Sequence, residues 1–352
     1  PVDSMMQPRL APLALALALA LGAQRAAGFG MPARRHGMTM VTTEPDVAAP
    51  RFEDKFWDWE GRKIRYVSQQ ASGPSKGSLL LIHGFGASAD YFRENVPAFA
   101  AAGYNVFALD LLGFGLSDKP VGDTVYSINL WREQVLSFAR DVVPDDDYVL
   151  AGNSIGGLVA VTTAAKNAAA KGLLLFNCAG GMNNKFTITD DLTPLNLKLI
   201  ATPIFSLLDI LLRNEGFSRW FFERTKTEEN VATTLASVYV NKDRVDGELV
   251  RSILRPADDA NALEVFVRIL TGDPGTTPEK LMPDVACPVK LVWGDDDPFT
   301  PLDGPYGRYF RELAEDAAQP NVTMSIVNAG HCPHDDAPEE VHAAAVPWLQ
   351  AL

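Results

Sequence analysis

The sequence predicts an α/β protein: a mostly parallel central sheet flanked by helices, with a helical insertion. Two observations carry this. Short apolar runs recur at 79–82, 106–109, 149–151, 173–176 and 289–293, each ending in a loop of Gly, Asp, Asn or His. Such runs read as strands buried on both faces, the habit of parallel sheets. The second observation is the segment 149–157, where an apolar strand runs through Gly152-Asn153-Ser154-Ile155-Gly156 straight into an alanine-rich helix.

That second segment is the richest in the chain. G-x-S-x-G between a strand and a helix is the form of a nucleophile elbow, a tight turn with a strained serine at its apex. Gly152 and Gly156 offer no Cβ to clash in so tight a turn. The bland alternative is a glycine-rich turn with a surface serine. The flanking strand and helix favour Ser154 as a nucleophile.

In hydrolases with this elbow the triad runs Ser, then Asp or Glu, then His along the chain. The five histidines are His36, His83, His331, His334 and His342. The first two precede Ser154, so the base is sought among the rest. His331 lies on the loop after the alternating strand 322–327, from which it can reach the serine. His334 is the fallback, and His342 is expected on the last helix, facing solvent. The acid is sought after the strand 288–293, where Gly294 leads into Asp295, Asp296 and Asp297. Chemistry alone leaves the three aspartates open. The acid would accept the imidazole N–H and fix its tautomer.

The run 79–82 ends in His83-Gly84-Phe85-Gly86. A loop of this kind supplies one oxyanion-hole donor, here the backbone N–H of Phe85. The N–H of Ile155, the residue after the nucleophile, supplies the other. His83 reads as structural. The segment 106–120 carries D-x-x-G-x-G-x-S, in which Asp110 and Ser117 read as groups that fix a loop.

These motifs resemble the α/β-hydrolase superfamily from about residue 50 to the end. HGFGAS, ALDLLGFGLSDKP, AGNSIGG, WGDDDPFTPLDGPYGRYF and AGHCPHDDAPEEVH are together similar to the plastid branch that contains chlorophyll dephytylase and pheophytinase. The resemblance implies an α/β-hydrolase fold and a triad of Ser154, Asp297 and His331, the third aspartate taking the acid position of W-G-x-x-D. It further implies hydrolysis of the phytyl ester of chlorophyll or pheophytin, with no cofactor or metal.

Composition sets the outer limits. The chain has 352 residues, 47% hydrophobic and 21% charged, enough for an ample core. A net charge of −13 without a basic patch argues against nucleic acid as a partner. Cys178, Cys287 and Cys332 make no even disulfide framework and lack metal-ligand spacing. The expected partners are a small-molecule apolar ester and the thylakoid membrane surface.

Residues 1–48 read as a targeting leader, outside the catalytic domain of 49–352. An apolar Leu/Ala run over 10–21, broken only by Pro12, is too short to span a bilayer and suits a signal h-region. Four arginines against Asp3 over residues 1–43, and Phe29 after the apolar run, resemble the bipartite plastid leader of algae with secondary plastids. Plastid localisation is therefore expected; an ordinary secretory signal is the alternative.

Sheet patterning stops after 173–178 and resumes near Val289. Between them, at about 181–283, the text is helical and unusually apolar, with Trp220, Phe221 and Phe222 close together. This reads as a lid whose apolar groups both pack on the main domain and suit an apolar substrate. Gly180-Gly181 and 272–275 are the expected hinge ends. A general esterase or lipase, a serine carbon–carbon hydrolase, a perhydrolase and a ligand receptor with a retained triad share these features. Haloalkane dehalogenases and epoxide hydrolases place aspartate at the elbow, and Ser154 argues against both.

Overall fold

The computed structural model describes residues 51–352; the expected leader lies outside the described residues. Eight strands form one sheet: β1 (Lys55–Trp59), β2 (Arg62–Gln69), β3 (Ser78–Ile82), β4 (Asn105–Leu109), β5 (Tyr148–Asn153), β6 (Ala170–Phe176), β7 (Val289–Gly294) and β8 (Val322–Val327). Their order across the sheet is β1-β2-β4-β3-β5-β6-β7-β8. β1 and β2 are antiparallel, as are β2 and β4, and every other pairing is parallel. The β1–β2 hairpin turns at Glu60 and Gly61, both at positive φ, as a two-residue primed turn requires.

The expected apolar runs became the buried centre of the sheet. β3 shows why they are apolar throughout: Leu79 and Leu81 face one core layer, while Leu80 and Ile82 face the other. Helices α1 (Asn95–Ala101), α2 (Ile128–Val142) and α3 (Ile155–Ala164) follow β3, β4 and β5. Between β6 and β7 lies the helical insertion: α4 (Leu195–Arg213), α5 (Glu215–Thr225), α6 (Glu228–Val238), α7 (Gly247–Ala257) and α8 (Ala262–Thr271). The sheet then resumes, with α9 (Pro305–Glu315) after β7 and α10 (Pro338–Gln350) closing the chain. Side-chain caps start three insertion helices: Asn214 accepts from Phe217 N–H, Thr227 from Asn230 N–H and Asp246 from Leu249 N–H.

α2, α3 and α9 share one core layer with the sheet, and α1 and α10 the other. The C-terminal ends of the parallel strands share an edge, where ligands bind in open α/β sheets. The two stems of the insertion are bonded to each other near this edge. Met182 N–H donates to Pro274 O at 2.8 Å, and Asn183 Nδ2 to Ile269 O and Gly272 O at 2.9 and 3.1 Å. At Gly180 a Cβ would come within 2.5 Å of Tyr306, and at Gly181 within 2.5 Å of Phe186. These glycines are therefore required by close packing.

Candidate active site

Ser154 sits between the end of β5 and the start of α3, at φ 55° and ψ −122°. This conformation is one that a residue with a Cβ adopts at a cost. The surroundings over-determine it: Ser154 N–H donates to Phe176 O, and Ser154 O accepts from Ala179 N–H, both at 3.1 Å. The two glycines of the motif have ordinary negative φ, so space is what selects them. A Cβ at Gly152 would lie 2.3 Å from Gly156 O, and one at Gly156 would lie 2.2 Å from Ile82 O.

Of the three aspartates, Asp295 and Asp296 are exposed, while Asp297 is 3% exposed and meets the histidine. His331 Nδ1 lies 2.9 Å from Asp297 Oδ2. A carboxylate only accepts, so Nδ1 carries the proton and Nε2 is the basic nitrogen. Asp297 also accepts from Thr300 Oγ1 and Asn177 Nδ2, both at 2.5 Å, and from Phe299 N–H at 2.7 Å. Burial alone would raise its carboxyl. His331 and the hydrogen bonds from Thr300 and Phe299 outweigh burial and hold it below the ordinary aspartate value.

His331 is itself 8% exposed, with the Phe299 ring edge-on at 4.9 Å. Its backbone is held from two sides. His331 O accepts from Asn153 Nδ2 at 3.0 Å, the residue before the elbow serine, and His331 N–H donates to Val238 O at 2.9 Å, at the end of α6.

The loop after β3 lies against the elbow: a Cβ at Gly84 would approach Ser154 Cβ to 3.2 Å. His83 secures this loop. Its Nδ1 meets Gly84 O at 2.7 Å and its Nε2 accepts from Leu111 N–H at 3.0 Å. Burial pushes its pKa down to about 4, so it stays neutral. Among the described residues, Phe85 N–H donates to no protein acceptor, and Ile155 N–H is in the first turn of α3, where no intrahelical acceptor exists. Two unengaged donors thus flank Ser154. Asp110 and Ser117 tie the neighbouring loop. Asp110 accepts from the N–H groups of Ala89 and Leu116, both at 2.7 Å, and Ser117 Oγ donates to Asp110 O at 2.8 Å.

His334 lies elsewhere, fully buried against Phe92 and Phe176. His342 lies on the last helix, α10, as expected, but is half-buried: it packs edge-on against Phe99, and its Nε2 meets Asn95 Nδ2 at 3.1 Å. Sequence reasoning missed Asn177 and Asn153. Asn177 bridges the site, since Gly294 N–H donates to its Oδ1 at 2.9 Å while its Nδ2 holds Asp297. Its one sequence signal is an asparagine closing an apolar strand, a residue type that tolerates the positive φ of 42° found there.

Similarity to known proteins agrees with this geometry. Residues 79–344 match the alpha/beta hydrolase family. The chain is 28% identical, over 76% of its length and 85% of the relative's, to a 2-hydroxy-6-oxononadienedioate/2-hydroxy-6-oxononatrienedioate hydrolase of Paraburkholderia phymatum. It is 25% identical to the chloroplastic pheophytinase of Arabidopsis thaliana, over 86% of this chain and 68% of that protein. Among solved structures, a membrane phospholipase A described as a bacterial virulence factor superposes with a TM-score of 0.62 at 25% identity, covering 86% of each chain. With its eight-stranded sheet, its elbow and this match over most of its length, the chain belongs to the alpha/beta hydrolase family.

Proposed function

We propose that the chain is a serine carboxylic-ester hydrolase for an apolar ester, and that its substrate is the phytyl ester of chlorophyll or pheophytin. The observation that carries the chemistry is the hydrogen bond from His331 Nδ1 to buried Asp297, on the same strand-end edge as the strained Ser154. In this reading Nε2 of His331 takes the proton of Ser154 as its Oγ attacks the ester carbonyl. The N–H groups of Phe85 and Ile155 hold the oxyanion, each worth about 3 kcal/mol of transition-state stabilisation. His331 then protonates the leaving alcohol, and water returns the acyl-enzyme to free serine. No cofactor enters this sequence.

The groups packed beside the reacting residues support an apolar substrate. Phe299 lies against His331, and Phe85 meets Phe114 edge-to-face and Phe266 of α8 at a tilt. Phe266 in turn meets Phe221 and Phe222 of α5, so an aromatic path runs from the proposed oxyanion loop into the insertion. Such walls favour a hydrocarbon tail over the two carboxylates of a dienedioate, and each CH₂ buried would contribute about 0.8 kcal/mol. The pigment assignment rests on the motifs similar to the dephytylase and pheophytinase branch, and the insertion acts in it as a lid. A carbon–carbon hydrolase is the second reading, favoured by the relative that is 28% identical.

Work at a membrane surface belongs to the same proposal. On α4, Leu199, Leu207 and Ile210 are 68%, 58% and 67% exposed. Two of the helix's three charged groups turn the other way, Lys198 toward Asp190 and Asp209 toward Lys185, and the third, Arg213, is exposed at its C-terminal end. An outer face that is apolar up to a terminal arginine complements the acyl boundary of a bilayer, with the arginine at headgroup level. Plastid localisation is also part of the proposal and rests on the leader at 1–48.

The deciding experiment is incubation with chlorophyll a and with pheophytin a in detergent, beside the Ser154→Ala variant, with free phytol quantified. Phytol released by the wild type alone is the expected result. Cleavage of simple esters that depends on Ser154, with no phytol from either pigment, would retain the triad and remove the pigment assignment. Cleavage of a dienedioate ring-fission product in place of any ester would establish the second reading.

A further inference from the structure

The motif that supplies His331 continues as Cys332-Pro333-His334-Asp335-Asp336, and its two buried aspartates are held in opposite ways. Asp335 is paired with cations: Arg93 Nε donates to it at 2.8 Å and Arg244 Nη2 at 3.3 Å, with Tyr239 OH at 3.0 Å. Asp336 is 3% exposed and forms no ion pair among the described residues. Three backbone N–H groups satisfy its carboxylate instead. Gly330 N–H donates to Oδ2 at 2.7 Å, Val240 N–H to Oδ2 at 2.8 Å and Asn241 N–H to Oδ1 at 2.8 Å. Charge-assisted bonds of this kind are about twice as strong as neutral ones.

The donors come from two places far apart in sequence. Val240 and Asn241 belong to the strap between α6 and α7 of the insertion, whereas Gly330 immediately precedes His331. The strap reaches the base a second time, through His331 N–H to Val238 O. The fit leaves no slack, since a Cβ at Gly330 would lie 2.0 Å from Val238 O. Tyr239 and Cys332 lie in one apolar cluster with Leu235 and Val238, so the strap is packed as well as bonded.

We infer that Asp336 is a positioning residue, a carboxylate clasp that joins the 238–241 strap to the His331 loop and so sets the base's place relative to Ser154. The inference rests on the reading of His331 as the general base. It makes this part of the insertion a fixed brace of the catalytic machinery. Asp336 touches neither substrate nor nucleophile and acts only through the backbone on either side of His331. Asparagine at 336 would keep the shape but offer one oxygen to three donors and turn an NH₂ toward at least one of them, so one side of the clasp must open.

The test compares wild type, Asp336→Asn, Asp335→Asn and His331→Ala with a soluble short-chain p-nitrophenyl ester. Reactive serines are counted by a fluorophosphonate probe, so that rates per titrated site are independent of the folded fraction. The expected result for Asp336→Asn is a 10- to 100-fold fall in kcat per site, KM within twofold of wild type, and fluorophosphonate labelling slowed by the same factor. The downfield proton resonance of His331 Nδ1–H is expected to shift in Asp336→Asn. Asp335→Asn is expected to lower the melting temperature with a smaller kcat effect. Wild-type kcat per site and an unmoved resonance in Asp336→Asn, with His331→Ala inactive, would overturn the inference and leave the base intact. Full activity in His331→Ala would overturn the reading of His331 itself. Should Asp336→Asn fail to fold, Asp336→Glu, which keeps the charge and adds a methylene, takes its place with the same expected and opposing results.

Discussion

Ser154 carries the clearest local cost in the molecule, with a side chain at φ 55° and ψ −122°. Strain of this sort costs about 1–3 kcal/mol and persists where function needs the geometry. Glycine would relieve it, less up to about 1 kcal/mol of added unfolded-state entropy. Ser154→Gly and Ser154→Ala should both be inactive, but the glycine variant should melt about 2–4 °C above the alanine variant. Equal melting temperatures by calorimetry would show that the elbow stores no more strain than the roughly 1 kcal/mol that glycine's unfolded-state entropy offsets. The sequence already carried Ser154, because its neighbours repeat a steric requirement: each motif glycine faces backbone within 2.3 Å of where a Cβ would be. Asp297 was legible only by resemblance, since Asp295, Asp296 and Asp297 are chemically equal until burial separates them. Asn177 and Asp336 were not legible. Each acts by joining segments distant in sequence, and a single polar residue shows no periodicity that would announce such a partner.

Elements buried on both faces declared themselves by apolar runs, whereas the β1–β2 hairpin did not. β1 alternates half-buried and exposed positions and β2 mixes buried with half-buried ones, so lysines and arginines interrupt the apolar signal. The helical insertion was evident from its apolar text, but which faces cover the core and which remain outside required the fold. α4 shows the difference: Ala201, Phe205 and Leu212 are buried, while Leu199, Leu207 and Ile210 are exposed. Burying one leucine-sized side chain contributes about 1.5–3 kcal/mol, so three inserted together would hold the protein on a bilayer against its ordering cost. Wild type should therefore sediment with neutral phosphatidylcholine vesicles. The triple variant Leu199→Asp, Leu207→Asp, Ile210→Asp should remain in the supernatant, with kcat/KM on a soluble ester within twofold of wild type. Unchanged sedimentation of the variant would remove α4 as the membrane-facing element.

For the whole molecule, acid is the condition that tests the packing, because the fold buries histidines in neutral form. Burial pushes His83 down to about 4 and His334 down to about 3, the latter with a smaller push from His331, and lowers His342 as well. Neither ring nitrogen of His334 finds a hydrogen-bond partner among the described residues, and the ring lies between Phe92 and Phe176 with Tyr91 beside it. In the unfolded chain each histidine titrates near 6.5. Between that value and the folded one, the unfolded state binds a proton that the native state refuses, so stability must fall as pH drops below about 6.5. Asp110 opposes this in part. Burial lifts its carboxyl to about 6 against the pull of Arg65, and native protonation relieves that cost as pH falls. The histidines prevail, with two large shifts against one, for a net loss on the order of a few kcal/mol by pH 4. His334→Phe isolates the largest of these contributions: it fills the aromatic site, removes two unpaired ring nitrogens and cannot bind a proton. Urea unfolding at pH 7 and at pH 4.5 should show the wild type losing more stability than the variant, the difference approaching about 2 kcal/mol. Parallel losses in the two proteins would mean that His334 takes up its proton in the folded state, and that the aromatic enclosure admits charge.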